Sequence, residues 1–247
     1  MPTGILWRQD RQRSKGKRAV AIHSPETQTP ATEKQNASSN NKRSSKRIYH
    51  FAKRVLDILL ATLGLIVTLI PMAVIAIFIK AESPGPVIYV HKRIGKNGKP
   101  LALLKFRSMC KDANQLIAKF TPEEKAEWEA NFKLEKDPRV TKVGNFLRKS
   151  SLDELPQLLN VLKGELSLVG PRPVVAEELE KYGDQKEKFL SVLPGLTGYW
   201  QAYARSSCTY EKRMEMELYY VDHASFWWDI KILFATVGAV LKKNGAK

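Results

Sequence analysis

Cysteine is nearly absent: Cys110 and Cys208 are the only two in 247 residues, and they form neither a C-x-x-C pair nor a spaced ligand set with the four histidines. A disulfide scaffold and a structural zinc site are therefore not indicated, and reduced thiols fit a cytoplasmic setting. Acidic residues are also scarce, 25 Asp and Glu against 41 Lys and Arg, for a formal charge of +16. The basic start of the chain lacks the apolar stretch that a secretory signal requires. No aromatic-interleaved basic array accompanies the charge, which argues against a nucleic-acid-binding module.

Much of the charge sits at one end. Residues 1–54 carry 13 Lys and Arg against 3 Asp and Glu, so +10 of the +16 lies there. Polar and without apolar periodicity, residues 1–50 read as a disordered basic tail. It is suited to an anionic membrane surface, where each basic residue contributes ~1 kcal/mol. A solvated linker is the alternative.

From Ile58 to Ile79 run 22 residues without a charge, the length and composition of a membrane segment. Pro71 divides it into limbs of only ~20 Å and ~13 Å at 1.5 Å per residue, neither of which reaches across a ~30 Å hydrocarbon core. Basic residues flank both ends: Lys46, Arg47, Lys53 and Arg54 before, and Lys80, Lys92, Arg93, Lys96 and Lys99 after. Because such residues mark the cytoplasmic side, residues 51–82 read as a re-entrant helix–break–helix that returns to the side it entered; a span by the unbroken sum of both limbs is the alternative. Pro71 supplies the break, and Thr68 is the candidate to satisfy nearby backbone groups.

Beyond Glu82 the pattern shortens. Val87–Val90 and Leu101–Leu104 flank Asn97-Gly98, a hairpin signal. Lys105 and Arg107 leave the second strand, either as an ordinary charged edge or aimed at a phosphate. Charged, helix-forming sequence follows from Asp112 to Glu135, with Leu116, Phe120, Trp128 and Phe132 as apolar points and Thr121-Pro122 as an N-cap and first helical position. An aromatic run, Phe226 to Phe234, suits a helix at the headgroup boundary. The expected fold is α+β and membrane-associated: the re-entrant helix, several amphipathic helices and a small antiparallel hairpin or sheet, with residues 83–247 as one cytoplasmic domain ending in an interfacial helix.

Chemistry concentrates at Arg148-Lys-Ser-Ser-Leu-Asp-Glu154 and at Gly170-Pro-Arg-Pro173. Ser151-x-x-Glu154 fits a helix capping box, a purely structural role. Asp153 and Glu154, adjacent on a helix, would face about 100° apart and so poorly flank a sugar ring as a glycosidase pair. They suit instead two roles at one phosphorus: a nucleophilic carboxylate, and a carboxylate for Mg²⁺ held jointly with substrate phosphates. Arg148 adds positive charge beside them, and Arg172 sits on a stiff Pro-flanked loop.

Lys53-Arg-x-x-Asp57 before a Pro-broken apolar helix, Lys105-Phe-Arg107, Ser151-Leu-Asp-Glu-Leu-Pro-Gln-Leu158, Asn160-Val-Leu-Lys-Gly164, Leu168-Val-Gly-Pro-Arg-Pro173, Pro194-Gly-Leu-Thr-Gly198 and Tyr219-Tyr220 occur in this order. From Lys53 to Lys243 the chain thereby resembles the bacterial sugar transferase family, the monotopic polyprenol-phosphate phosphoglycosyl transferases, in the compact form without a multi-span N-terminal region. The resemblance implies that Asp153 attacks the sugar-bearing phosphate of a UDP-sugar and releases UMP. Polyprenol phosphate then takes the phosphosugar, the initiating step of exopolysaccharide, capsule or glycoconjugate assembly at the cytoplasmic face of the inner membrane. It implies Glu154 and Asp153 as Mg²⁺ ligands and Lys105, Arg148, Arg172 and Arg205 as phosphate-binding residues. Two departures stand out: Gln201-Ala-Tyr-Ala-Arg205 differs from commoner versions of that loop, and Ile70-Pro71 replaces the usual Ser-Pro. The implied partners are a UDP-sugar, polyprenol phosphate and an anionic membrane surface, not nucleic acid, and a homo-oligomer is compatible with them. Two other readings stay open here: sugar transfer without its phosphate, which releases UDP, and a non-catalytic membrane scaffold of a glycan assembly complex.

Overall fold

A computed structural model of the chain describes residues 30–131, 134, 137–204 and 208–241, with side chains from Ser45 onward except at 114, 119, 128–131 and 241. The chain divides into two compact units, residues 1–44 and 45–247. The first 29 residues of the expected tail lie outside the described residues. Residues 30–50, expected to be irregular, are instead helical and belong to α1 (Pro30–Glu82). Composition misled here because the stretch is poor in apolar residues but holds Ala, Glu, Lys, Gln and Arg, which sustain a helix once the following apolar turns have nucleated it.

Helix α1 continues on both sides of Pro71 as one helical element, so the expected break does not end the helix and is replaced by, at most, a bend within it. Proline removes one amide donor and leaves the Val67 carbonyl without its intrahelical partner, a loss a long apolar helix tolerates. Thr68 Oγ1 donates to the Gly64 carbonyl at 2.6 Å, one turn upstream, rather than to the freed Val67 carbonyl.

From Ser45 to Glu82 this helix is long and apolar enough to cross a membrane, and only 6% of its most apolar window is buried. Its outer face carries exposed Ile66, Val67, Leu69, Ile70, Ile77 and Phe78. The inner stripe is held by charge. Lys53 reaches the Val169 carbonyl and Asp229, Arg54 donates to the carbonyls of Val161 and Leu162, and Asp57 accepts from Ser167 Oγ and the Leu168 amide. Lys53-Arg-x-x-Asp57 is therefore the clasp between α1 and the rest of its unit.

The hairpin forms where Asn97-Gly98 predicts it. Strands β1 (Ile88–Ile94) and β2 (Pro100–Phe106) pair antiparallel, Tyr89 opposite Lys105 and Arg93 opposite Leu101. Asn97 and Gly98 both take positive φ in the turn, at 56° and 75°, as a tight reversal demands. Helices α2 (Ala113–Leu116) and α3 (Pro122–Asn131) follow. Thr121 caps α3 as expected, exchanging bonds with Glu124 in a reciprocal capping box. Phe120 is buried with the Arg139 guanidinium 5.1 Å from its ring, a packing role; the side chains of Trp128 and Phe132 lie outside the described residues.

Then come α4 (Lys142–Ser150), α5 (Gln157–Lys163), β3 (Ser167–Val169), α6 (Ala176–Glu180), α7 (Lys186–Leu190), β4 (Gly195–Thr197), α8 (Tyr199–Tyr203), α9 (Tyr210–His223) and α10 (Phe226–Leu241). Strands β3 and β4 pair in parallel, a second small sheet that no alternating pattern announces. The principal core joins Ala61 of α1, Leu101 and Leu103 of β2, Leu158 and Val161 of α5, Leu168 of β3 and Ile232 of α10. Another cluster, Ile75, Ile79, Phe106 and Leu147, packs the far half of α1 against α4. On α10, Trp227 and Phe234 are exposed while Trp228 packs against Tyr199, ring centroids 5.3 Å apart.

Candidate active site

Four segments meet beside the hairpin. Strand β2 brings Lys105, the turn after α4 brings Asp153 and Glu154, the start of α5 brings Gln157, and the loop after β3 brings Arg172. Asn160, fully buried, locks the first of these to α5: its Oδ1 accepts from the Leu104 amide at 3.0 Å and its Nδ2 donates to the Ala102 carbonyl at 2.9 Å. A side chain grips the strand on either side of Leu103, so Lys105 is fixed relative to the carboxylates.

The capping-box expectation for Ser151 is corrected. Ser151 ends α4 in the left-handed region, φ 59°, and its side chain makes no capping bond. Asp153 and Glu154 occupy a single 3₁₀ turn, Leu152–Glu154, rather than the start of an α-helix, and a three-residue turn has no dipole of consequence. Leu152 and Leu155 anchor this turn in the cluster beneath α4. The positive charge beside the carboxylates comes from side chains, Lys105 first.

Lys105 Nζ lies 2.7 Å from Glu154 Oε1 and 3.8 Å from Asp153 Oδ2. Burial pushes the Asp153 carboxyl above the usual carboxylate range, Lys105 opposing this and Glu154 reinforcing it. Burial also acts on Glu154, but Lys105 and Arg172 outweigh it and hold that carboxyl below the ordinary range. Two adjacent carboxylates are thus driven apart: Glu154 is the stable anion and Asp153 the more basic, more easily engaged oxygen donor. Divergence of this kind marks functional sites.

Arg148 stands elsewhere. Its Nε donates to Ser108 Oγ at 2.9 Å, within electrostatic reach of Asp153 but without an ion pair to it. Arg107, leaving the same strand as Lys105, turns away to bind the carbonyls of Ile79, Ser83 and Pro84 at the end of α1. Of the two cations in Lys105-Phe-Arg107, only the first serves the cleft. Arg205 lies outside the described residues.

The loop carrying Arg172 is set by two glycine motifs packed backbone to backbone. A Cβ on Gly195 would meet the Gly170 amide nitrogen at 2.1 Å, and one on Gly198 would meet the Gly170 carbonyl oxygen at 2.2 Å. Pro194-Gly-Leu-Thr-Gly198 is therefore the bed on which Gly170-Pro-Arg-Pro173 lies, and the Arg172 amide donates to buried Glu217. Sequence reasoning missed Arg93 and Gln157, which line the same cleft with Lys105, Glu154 and Arg172. Arg93 stood among seemingly interchangeable lysines, and only its alternation with Tyr89 and His91 could have placed it on the inward face.

For Mg²⁺ the donor chemistry fits. Two hard carboxylates on one turn suit an ion that is held by one or two carboxylates, waters and substrate phosphates rather than by an all-protein cage. Asp153 and Glu154 would be the protein's share.

Comparison with known proteins identifies the family. The family model described as bacterial sugar transferase matches residues 48–243. A UDP-galactose-lipid carrier transferase of Erwinia amylovora is 45% identical over 205 residues, covering 82% of this chain and 43% of that protein. The undecaprenyl-phosphate galactose phosphotransferase of Salmonella typhimurium is 44% identical, again over 82% of this chain and 43% of its own length. The exopolysaccharide production protein ExoY of Sinorhizobium fredii is 43% identical over 79% of this chain and 88% of its own length. The chain thus spans under half of the first two relatives and most of the third.

Proposed function

The chain belongs to the bacterial sugar transferase family, and on that premise we propose that it transfers a sugar phosphate from a UDP-sugar to polyprenol phosphate, initiating exopolysaccharide or related glycan assembly. The supporting observation is the placement of Lys105 between two carboxylates of opposed basicity, at the edge of a cleft lined by further cations.

In this reading Asp153 is the nucleophile. Its carboxylate oxygen attacks the sugar-bearing phosphorus, and the bond from that phosphorus to the bridging oxygen breaks, leaving UMP with the electron pair. An oxygen of polyprenol phosphate then attacks the same phosphorus and the acyl-phosphate bond breaks, restoring the Asp153 carboxylate and releasing polyprenol-diphosphate sugar. Lys105 keeps Asp153 ionised and neutralises charge as the phosphorus is attacked. Mg²⁺, held by Glu154 and Asp153, would supply further charge neutralisation on the phosphates. Arg172 orients the nucleotide phosphate, and Arg148 adds positive potential on the other side of Asp153.

The membrane places the second substrate. The exposed apolar face of α1 is embedded in the bilayer, the helix bending at Pro71, and the basic residues at both of its ends keep both on the cytoplasmic side of the inner membrane. Exposed Trp227 and Phe234 of α10 rest at the headgroup boundary. A lipid phosphate and a soluble nucleotide sugar then reach one site. Product analysis tests the reaction: purified protein supplied with UDP-sugar, polyprenol phosphate and Mg²⁺ releases UMP, whereas UDP as the nucleotide product would exclude transfer of the sugar phosphate.

A further inference from the structure

The cleft beside Glu154 holds more positive charge than its carboxylates match. Lys105 is paired with Glu154, and Arg93 with Glu178 at 3.1 Å. The Arg172 guanidinium, 5.9 Å from the Trp200 ring, makes no ion pair among the described residues. Arg93 uses only one arm: Nη1 donates to Glu178 and, at 3.4 Å, to the Pro173 carbonyl, while its Nε is buried without a hydrogen-bond partner. Gln157 Nε2 is likewise buried without a bond of full geometry, although its amide lies near enough to Glu154 to favour that charge. Buried donors left unpaired in a native site call for an explanation. Arg93, Arg172 and Gln157 line one cleft, and forked guanidinium donors match a compact anion with several acceptor oxygens such as phosphate.

His91, on the same face of the hairpin as Arg93 and Lys105, is pushed down to about 4 by burial and then by the charges of Arg93, Lys105 and Arg172. The imidazole stays neutral near pH 7, and the positive potential belongs to the fixed cations.

The proposed two-step reaction, on which this inference rests, requires a phosphate monoester twice. In the first step UMP departs from the phosphorus opposite the attacking Asp153; in the second, polyprenol phosphate attacks opposite the departing Asp153. In-line displacement places the leaving oxygen of one step and the entering oxygen of the other at the same point. We infer that Arg93, Arg172 and Gln157 form a single phosphate-monoester subsite, occupied by UMP and then by polyprenol phosphate, so that Arg93 serves both half-reactions.

Binding to the full chain carrying Asp153→Asn, which cannot form the adduct, tests this with UMP and a short-chain prenyl phosphate as probes. The two ligands should exclude each other, the apparent Kd of one rising in proportion to the concentration of the other. Arg93→Gln should weaken both by about 10-fold or more, the loss expected for a charged hydrogen bond. Arg93→Lys, which keeps the charge and the Glu178 pair but loses the fork, should weaken both by less, and it carries the test if Arg93→Gln does not fold. A complex holding both ligands together, or weakening of only one of them, would overturn the shared subsite while leaving UMP release intact. UDP as the product sinks the underlying reaction instead.

Discussion

Lys105 stands 2.7 Å from Glu154 and, through that ion pair, decides which of two neighbouring carboxyls remains the weaker base. Asp153, at 3.8 Å from the same ammonium, receives less help against burial and is raised. A nucleophilic carboxylate acts ionised, so adduct formation is lost as pH falls through this raised value. The acid limb of the rate profile therefore lies above the ordinary carboxylate value of ~3.9. Lys105→Met removes the nearest charge that lowers Asp153 and moves that limb to higher pH. It also reduces the plateau rate by roughly 10²-fold, the scale of a lost electrostatic contact. Glu154→Gln moves the limb down. A limb indifferent to both substitutions would detach Asp153 from the chemistry.

Asn160→Ala leaves the Leu104 amide and Ala102 carbonyl of β2 without their side-chain partners. Both bonds are part-buried, and losing hydrogen bonds of this kind costs about 0.5–1.5 kcal/mol each, so the thermal midpoint falls. Because β2 carries Lys105, turnover measured below that midpoint falls as well. A loss of stability with full activity would show that Asn160 supports the core and not the site.

The clasp is a stability element. Asp229, 2% exposed at its side chain, accepts from Lys53, Tyr49 and Tyr220. Lys53→Met strands that carboxylate, and breaking a buried pair by removing one partner costs about 3–5 kcal/mol. Chemical denaturation in detergent should register the loss as a lower midpoint, and Lys53→Met/Asp229→Leu should recover part of it.

Gly144 tests how closely α4 must approach the hairpin. A Cβ there would lie 2.0 Å from the Ser108 carbonyl oxygen, which rigid backbone cannot absorb. Gly144→Ala should destabilise the protein by about 1–3 kcal/mol and displace Arg148 from Ser108.

The topology proposal has its own check. With both native cysteines removed and a single cysteine at Ser14, a membrane-impermeant reagent should label disrupted but not intact cells. Labelling of intact cells would mean that α1 crosses the bilayer.

Local chemistry in the sequence was enough for some of these features and not for others. Asn97-Gly98 encodes its turn through positive φ, and Thr121 ahead of Pro122 encodes the cap of α3, so both were legible, although the reciprocal bond from Glu124 went unread. Ser151-x-x-Glu154 spells the same cap, yet there the packing of Leu152 and Leu155 under α4 selects a 3₁₀ turn instead. Pro71 costs one hydrogen bond, which is too little to end a helix whose neighbouring turns are predominantly apolar on the outer face. The β3–β4 pair is three residues on each side, and its register depends on Gly170 lying against Gly195, a contact 25 residues apart that no period reveals. Asp153, Glu154, Lys105 and Arg172 were found through ordered motifs, and the structure brings all four to one place. Arg93 and Gln157 were missed because an arginine in a basic strand and a glutamine in a helix acquire meaning only from the cleft they share.

The central claim is that Asp153 carries the phosphosugar. Incubating the protein with UDP-sugar and Mg²⁺, without polyprenol phosphate, and mapping its peptides by mass spectrometry tests this directly. The account predicts one phosphosugar on the peptide containing Asp153, an equivalent release of UMP, and no adduct with Asp153→Asn. Sustained turnover by Asp153→Asn on addition of polyprenol phosphate would contradict it.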